Sequence, residues 1–379
     1  MLRDWVSEKS LCVSKLFLNP GPDVVEYLLR RCDEEELDIP WEEAVRNPDP
    51  RLVDRFIAHC ASGGGSGGKL FASAGSKSVG SGKRGGVSGI ALNTNNEMLR
   101  YWRAHIPSMP SLDREFFFAM LSLNASDAAL EILTDPLHRD EIHWQNFCVN
   151  AHPIAVQILR ERSRWAKLCW FELAQNANPD ATYLVIMHVN ACIVAALCQP
   201  FSAKVRERLH TPARLMPSAV QMAFSLNRNH VATEFLRRNP EFVCWSSLSR
   251  NDSEVAVALL LARPEKISWS DFCKNANDRA VDYLLQHRDL AQQHPAQLCA
   301  NTNPRALQLL CDNDFELLLR RAPEHTHAFH LCWSVLSANA SEKAMEILAA
   351  NDPRFTRYHN NLVRNPLLCV PSDAPPLLK

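Results

Sequence analysis

Apolar and polar positions along this chain recur with a period of about 25 residues, much longer than one helical turn or one strand pleat. The stretches Ile142–Leu159 (IHWQNFCVNAHPIAVQIL), Ile267–Leu284 (ISWSDFCKNANDRAVDYL) and Leu331–Leu348 (LCWSVLSANASEKAMEIL) share one pattern. It reads apolar-x-Trp-x-x-(Leu/Phe)-(Ser/Cys)-x-Asn-x-x-x-x-Ala-apolar-x-apolar-Leu. With the Asn as position zero, Trp41, Trp144, Trp170, Trp245, Trp269 and Trp333 stand at −6. Leu or Phe fills −3 (Leu121, Phe147, Leu173, Phe224, Leu248, Phe272), Ala fills +5 (Ala129, Ala155, Ala232, Ala280) and Leu fills +9 (Leu133, Leu159, Leu236, Leu284).

Residues three and four apart share a helix face. Each unit therefore predicts a short helix A bearing the Trp, a turn at the Asn, and a longer helix B. Pro20, Pro48, Pro153, Pro179 and Pro304 suit the first turn of helix B. The Asn is expected to take left-handed backbone geometry where helix A ends and to cap helix B. Buried in such a frame, Trp269 would cost about 3–5 kcal/mol to replace with Ala.

The anchors register at Asn19, Asn47, Asn93, Asn124, Asn150, Asn176, Pro200, Asn227, Asn251, Asn275, Asn301, Asn339 and Asn365. This periodicity predicts an all-α fold, an α-solenoid of about 12–13 stacked helix-turn-helix repeats, each packing on its neighbours. The expected layout is helical repeats over 1–60, a Gly/Ser-rich flexible basic insert over 61–92, the main array over 93–365, and a Pro-rich tail over 366–379. Eleven of the 12 glycines fall between Gly63 and Gly89, which leaves the rest of the chain poor in tight-turn residues.

The repeat resembles the W-x-x-L-S-x-N-P repeat proteins that large DNA viruses of algae and amoebae encode. The resemblance rests on Trp-x-x-(Leu/Phe)-(Ser/Cys)-x-Asn followed by Ala-apolar-x-apolar-Leu, and it covers about 320 residues. It implies an α-helical array with no established activity, and a place in the host cell. Several units depart from it with Ala after the Asn (Ala125, Ala151, Ala177, Ala276, Ala340).

Charge and composition narrow the function classes. Lys+Arg 41 against Asp+Glu 42 gives no overall pull toward nucleic acid or acidic membranes. No apolar run approaches the roughly 18 residues of a membrane span, and the start MLRDWVSEKS lacks the apolar core of a signal peptide. A cytoplasmic or nuclear protein is expected. Thirteen scattered cysteines without a CxxC pair argue against a disulfide framework. Cys148, Cys198, Cys273 and Cys299 share the −2 column with Ser122, Ser225, Ser249 and Ser337, which marks them as small packing residues.

Candidate chemistry is sparse. Gly63–Lys69 (GGGSGGK) begins like a phosphate-binding loop, but Leu70 stands where a Ser or Thr would hold magnesium. His325, His327, His330 and Cys332 form the densest set of zinc-capable side chains, at a spacing that matches no standard zinc motif. HExxH and G-x-S-x-G signatures are absent. No cofactor or small-molecule substrate is evident.

One surface column stands out. At +7 of helix B, Glu26, Glu131, Glu207, Glu234, Asp282 and Glu346 would line up in a stacked array as an acidic stripe, either a solvated face that serves solubility or a groove for a basic segment of another protein. The expected function is thus a non-catalytic scaffold for protein–protein interaction, binding host factors if the chain is viral. The alternatives are a helical repeat that binds nucleic acid and, further off, a metal-dependent enzyme at 325–332.

Overall fold

The computed structural model describes residues 6, 11–62, 84–162, 168–198, 218–311, 327–350, 362–363 and 365–369. Every regular element among them is helical. No helix among the described residues is long and apolar enough to cross a membrane. The chain divides into two compact units, one of Met1–Ile142 with Cys311–Lys379 and the other of His143–Leu310.

Helices A and B alternate as the periodicity predicts. In the first unit they pair as Val13–Leu16 with Pro22–Glu35, Trp41–Ala44 with Pro50–Ala61, and Arg84–Leu92 with Asn96–Arg103. Ser111–Leu121 with Asp127–Thr134 and His327–Ala338 with Glu342–Ala350 complete it. The second unit holds Trp144–Phe147 with Pro153–Arg162, Trp170–Ala174 with Pro179–Cys198, and Ser218–Leu226 with His230–Arg238. Trp245–Ser249 with Glu254–Leu261, Trp269–Phe272 with Asp278–Gln286, and Pro295–Cys299 with Pro304–Gln308 follow.

The apolar columns form the core. At −3, Leu121, Phe147, Leu173, Phe224, Leu248 and Phe272 are all buried, as are the +5 alanines and the +9 leucines named above. Alanine at +5 lets helix B lie close to its neighbours, and the larger −3 and +9 side chains fill the space between.

The Asn does something other than turn the chain. Among the described residues the only non-glycine residue with positive φ is Glu36, so no anchor Asn is left-handed. Most of the described anchors are instead rungs of an inter-repeat ladder. In the Asn275 repeat, Nδ2 donates to Ser249 O (3.2 Å) and Asn251 O (2.9 Å) of the preceding repeat, and Oδ1 accepts from Asn277 N–H (3.1 Å). The same three bonds are made by Asn47, Asn93, Asn124, Asn176, Asn227, Asn251 and Asn301. The two accepting carbonyls lie at the C-terminal end of the preceding helix A, where backbone oxygens have no intrahelical partner. The Asn of one repeat thus caps helix A of the repeat before it. Capping of helix B passes to the +2 residue: Asp49, Asn95, Ser126, Asn229, Ser253, Asn277 and Asn303 accept from N–H groups in its first turn.

Three expectations change. Asn227 bonds directly to Ala174 O and Asn176 O (both 2.9 Å), so no rung lies between them; Pro200 itself falls outside the described residues. The segment expected to be a flexible insert becomes helical at Arg84, and its Val87, Ile90 and Ala91 are buried. Gly89 is needed there, since a Cβ would stand 2.6 Å from Arg46 Cγ and 3.0 Å from Val45 Cγ2. The Trp column is mostly half-buried: Trp333 is fully enclosed, but Trp41, Trp144, Trp170, Trp245 and Trp269 keep an edge in solvent. They open helix A, and Trp41, Trp170, Trp245 and Trp269 rest on the +12 residue of their own repeat, as Trp41 does on His59 (ring centroids 5.2 Å) and Trp245 under Arg263 (5.6 Å).

Two stability predictions follow from burial. Asn275→Ala strands two buried carbonyls and one N–H, and should lower the urea-derived unfolding free energy by about 3–5 kcal/mol; Asn275→Asp, which sets a carboxylate against the same carbonyls, should cost more at pH 7 and recover on acidification. Equal effects of the two at all pH values would contradict the ladder. Trp333→Ala should cost about 3–5 kcal/mol and Trp269→Ala about 2–3 kcal/mol, because an exposed edge contributes no transfer energy.

Candidate partner-binding face

The +7 position lies on the outer side of helix B, and of the carboxylates expected there the five among the described residues are exposed or half-exposed. The structure gives them partners. Arg51 Nη1 reaches Glu26 at 3.9 Å, Arg100 Nη2 reaches Glu131 at 3.2 Å, and Lys343 Nζ reaches Glu346 at 3.0 Å. Arg305 pairs with Asp282. Glu234 takes Arg237 Nε at 2.7 Å and Arg238 Nε at 2.8 Å. Glu207 falls outside the described residues. The column is therefore a row of ion pairs, several of them between adjacent repeats, and exposed pairs of this kind add little stability.

A signal for this pairing stands in the sequence. Arg51, Arg279 and Arg305 occupy +4 of their repeats. Stacking brings Arg51 and Arg305 beside the +7 acid of the repeat before, and Arg279 beside Glu254 (3.8 Å). A further polar column was missed altogether. At +2, Asn178, Asn277 and Asn303 not only cap helix B but donate through Nδ2 to Ala151 O, Asp252 O and Ala276 O of the preceding repeat (each 3.1 Å).

One place on this face is concave. Between helix B of the Asn176 repeat (Pro179–Cys198) and helix B of the Asn227 repeat (His230–Arg238) lies a cleft of about 430 Å³. Tyr183, Ile186 and Asn190 line one wall, and Glu234, Phe235 and Arg238 the other. Tyr183 and Glu234 both stand at +7, so the cleft lies on the column the sequence singled out. Tyr183 is 51% exposed, and Met187 one turn further is 68% exposed.

The charge of the cleft differs from the expected acidic groove. Hydrogen bonds from Arg237 and then Arg238 pull the Glu234 carboxyl down to about 2, so it stays ionised at any physiological pH. Of these three groups only Glu234 and Arg238 line the cleft, so the carboxylate there is balanced by one guanidinium. The cleft is thus not the acidic groove that would select a basic segment.

The metal and thiol candidates resolve differently. Among the described residues no three His, Cys, Asp or Glu side chains gather as metal ligands. Cys332 is buried beside the enclosed Trp333, in the packing of its repeat. His325 and the side chains of His327 and His330 lie outside the described residues. Burial pushes the Cys148 thiol up to about 11 and the Cys273 thiol to about 12, which keeps both protonated and unreactive at neutral pH. Serine in the same −2 column does more than fill space: Ser225 Oγ accepts from Cys244 N–H (2.9 Å) and Ser249 Oγ from Ser268 N–H (3.1 Å), each in the next repeat.

No protein-family model, curated protein or solved structure matches this chain.

Stacking on Trp170 has a pH consequence. The His188 imidazole lies against that indole with centroids 3.7 Å apart and planes 6° from parallel, and burial lowers its pKa from the ordinary 6.5. The unfolded chain therefore binds the proton more readily than the native state, and stability falls as pH drops below 6.5 toward the lowered value. His188→Phe keeps the stack and removes the proton site. Thermal melts between pH 8 and pH 5 should show a shallower acid loss in that variant than in the native chain; identical slopes would mean that His188 titrates normally.

Proposed function

We propose that this chain is a non-catalytic helical-repeat scaffold, an α-solenoid that binds another protein across its helix-B surface. The observation that carries this reading is the division of labour among repeat positions. The recurrent polar groups, the Asn ladder and the +2 caps, are bonded within the chain and buried or half-buried. The positions that vary and face outward lie on helix B, where +7 changes from Glu26 to Tyr183 to Asp282. The cleft opens on that same column. The resemblance to the repeat proteins of large DNA viruses points to a host protein as the partner and to the host cell as the setting.

Affinity purification of the tagged chain from its native cells, with and without nuclease, tests this. The expected result is a protein partner that survives nuclease and is lost with the Tyr183→Ala, Arg238→Glu double variant, whose melting temperature is unchanged. A partner that vanishes with nuclease would put nucleic acid in its place. A partner indifferent to the double variant would move the binding face away from the cleft.

A further inference from the structure

The ladder in the first unit does not follow chain order. Its rungs run Asn339, Asn365, Asn19, Asn47, Asn93, Asn124, each donating to the one before. Asn365 Nδ2 reaches Ser337 O (3.0 Å) and Asn339 O (2.9 Å). Asn19 Nδ2 then reaches Val363 O (2.9 Å) and Asn365 O (2.8 Å), across 346 positions of sequence. These are the two bonds that Asn47, Asn93 and Asn124 make, here without chain continuity to enforce them.

A repeat has two unlike faces. One presents the donor amide of its Asn, the other the carbonyls of its anchor and −2 residues. An array with free ends would show one buried-type face of each kind, each with unmet hydrogen-bonding groups. The Asn19 and Asn365 repeats instead use those faces on each other. Asn19, Leu362, Val363, Asn365, Leu368 and Cys369 are all buried at this seam, so the chain expected to be a tail from 366 onward packs as far as Cys369.

Gly21 is the seam's own adaptation. It is the one glycine outside the Gly63–Gly89 stretch, and it stands at +2, where most other repeats place Asp, Asn or Ser. Its φ of −69° makes no demand for glycine. A Cβ there would lie 2.9 Å from Pro366 O. The capping side chain has been given up so that the last repeat can seat.

We infer that this seam is a self-association surface held shut: when the last repeat leaves, the Asn19 face of one copy takes the Ser337–Asn339 face of a second copy. The two faces are complementary by construction, because each is the standard face of a repeat. Docked between copies they form a head-to-tail contact that can extend. Docked in cis by the tethered last repeat they are silenced, since linkage raises the local concentration of that repeat far above that of any free copy.

Analytical ultracentrifugation of the full chain over a roughly hundredfold concentration range tests this. The native chain should sediment as one monomeric species. Leu362→Asp with Leu368→Asp expels the last repeat and should produce reversible, concentration-dependent assembly; adding Asn19→Asp should abolish it, because a carboxylate on the donor face repels the carbonyls it would meet. A double variant that stays monomeric, or that associates regardless of Asn19→Asp, overturns the inference. Should the double variant fail to fold, a circular permutant decides. With Lys379 joined to Met1 by a Gly/Ser linker and the chain opened between Gly63 and Lys83, it should keep native helix content and cooperative melting. An unfolded permutant would overturn the seam and the inference with it.

Discussion

The structure depends on one side chain used over and over: a buried amide whose donors and acceptor are all satisfied by backbone. Asn offers two donors and a carbonyl on a short, stiff stem. In each rung the donors end the preceding helix A and the carbonyl holds the +2 N–H that leads into helix B, so one residue ties together three segments of backbone. Aspartate would bring charge and lose the donors, and glutamine would overshoot. Helix A can be as short as four residues, as at Trp269–Phe272, because its terminal carbonyls are met by the following repeat.

Much of the packing was legible from the chain alone, and the reason is local. The −3, +5 and +9 columns lie within one repeat and obey helical spacing, so burial could be read from periodicity, and Phe272, Ala280 and Leu284 are all enclosed. The role of the Asn was not legible, because its partners lie in another repeat. A residue that turns its own backbone and one that caps a helix 24 positions earlier look alike in sequence. The Trp column misled for a related reason. Tryptophan in six of the repeats suggests a core, yet a side chain at the first position of a four- or five-residue helix sits at its edge, where a +12 His or Arg covers one face only.

Composition misled where it was most biased. The Gly/Ser-rich stretch ends in a working helix A, in which Ile90 and Ala91 take the −3 and −2 places ahead of Asn93. Low complexity hid a repeat that the anchor spacing alone implied. The acidic column shows the opposite failure: the residues were assigned to the correct face, but the offset between neighbouring repeats sets Arg51 and Arg305 beside the acids. Charge read along one helix says little about the charge of a stacked surface.

Where one repeat can differ from the next follows from what the ladder leaves free. Positions bonded into rungs or packed in columns cannot change without breaking a neighbour, so variation is confined to the outer turn of helix B and to its length. Among the described residues helix B departs most from the rest at Pro179–Cys198, 20 residues long against 5 to 14 elsewhere, and there the rung order steps from Asn176 to Asn227 over a 51-residue gap. That irregularity costs the ladder nothing, since Asn227 still finds its two carbonyls. It does open the cleft beside Tyr183 and Glu234. A ladder of identical rungs acquires an individual surface only by such departures, and among the described residues the largest lies on the face that no rung uses.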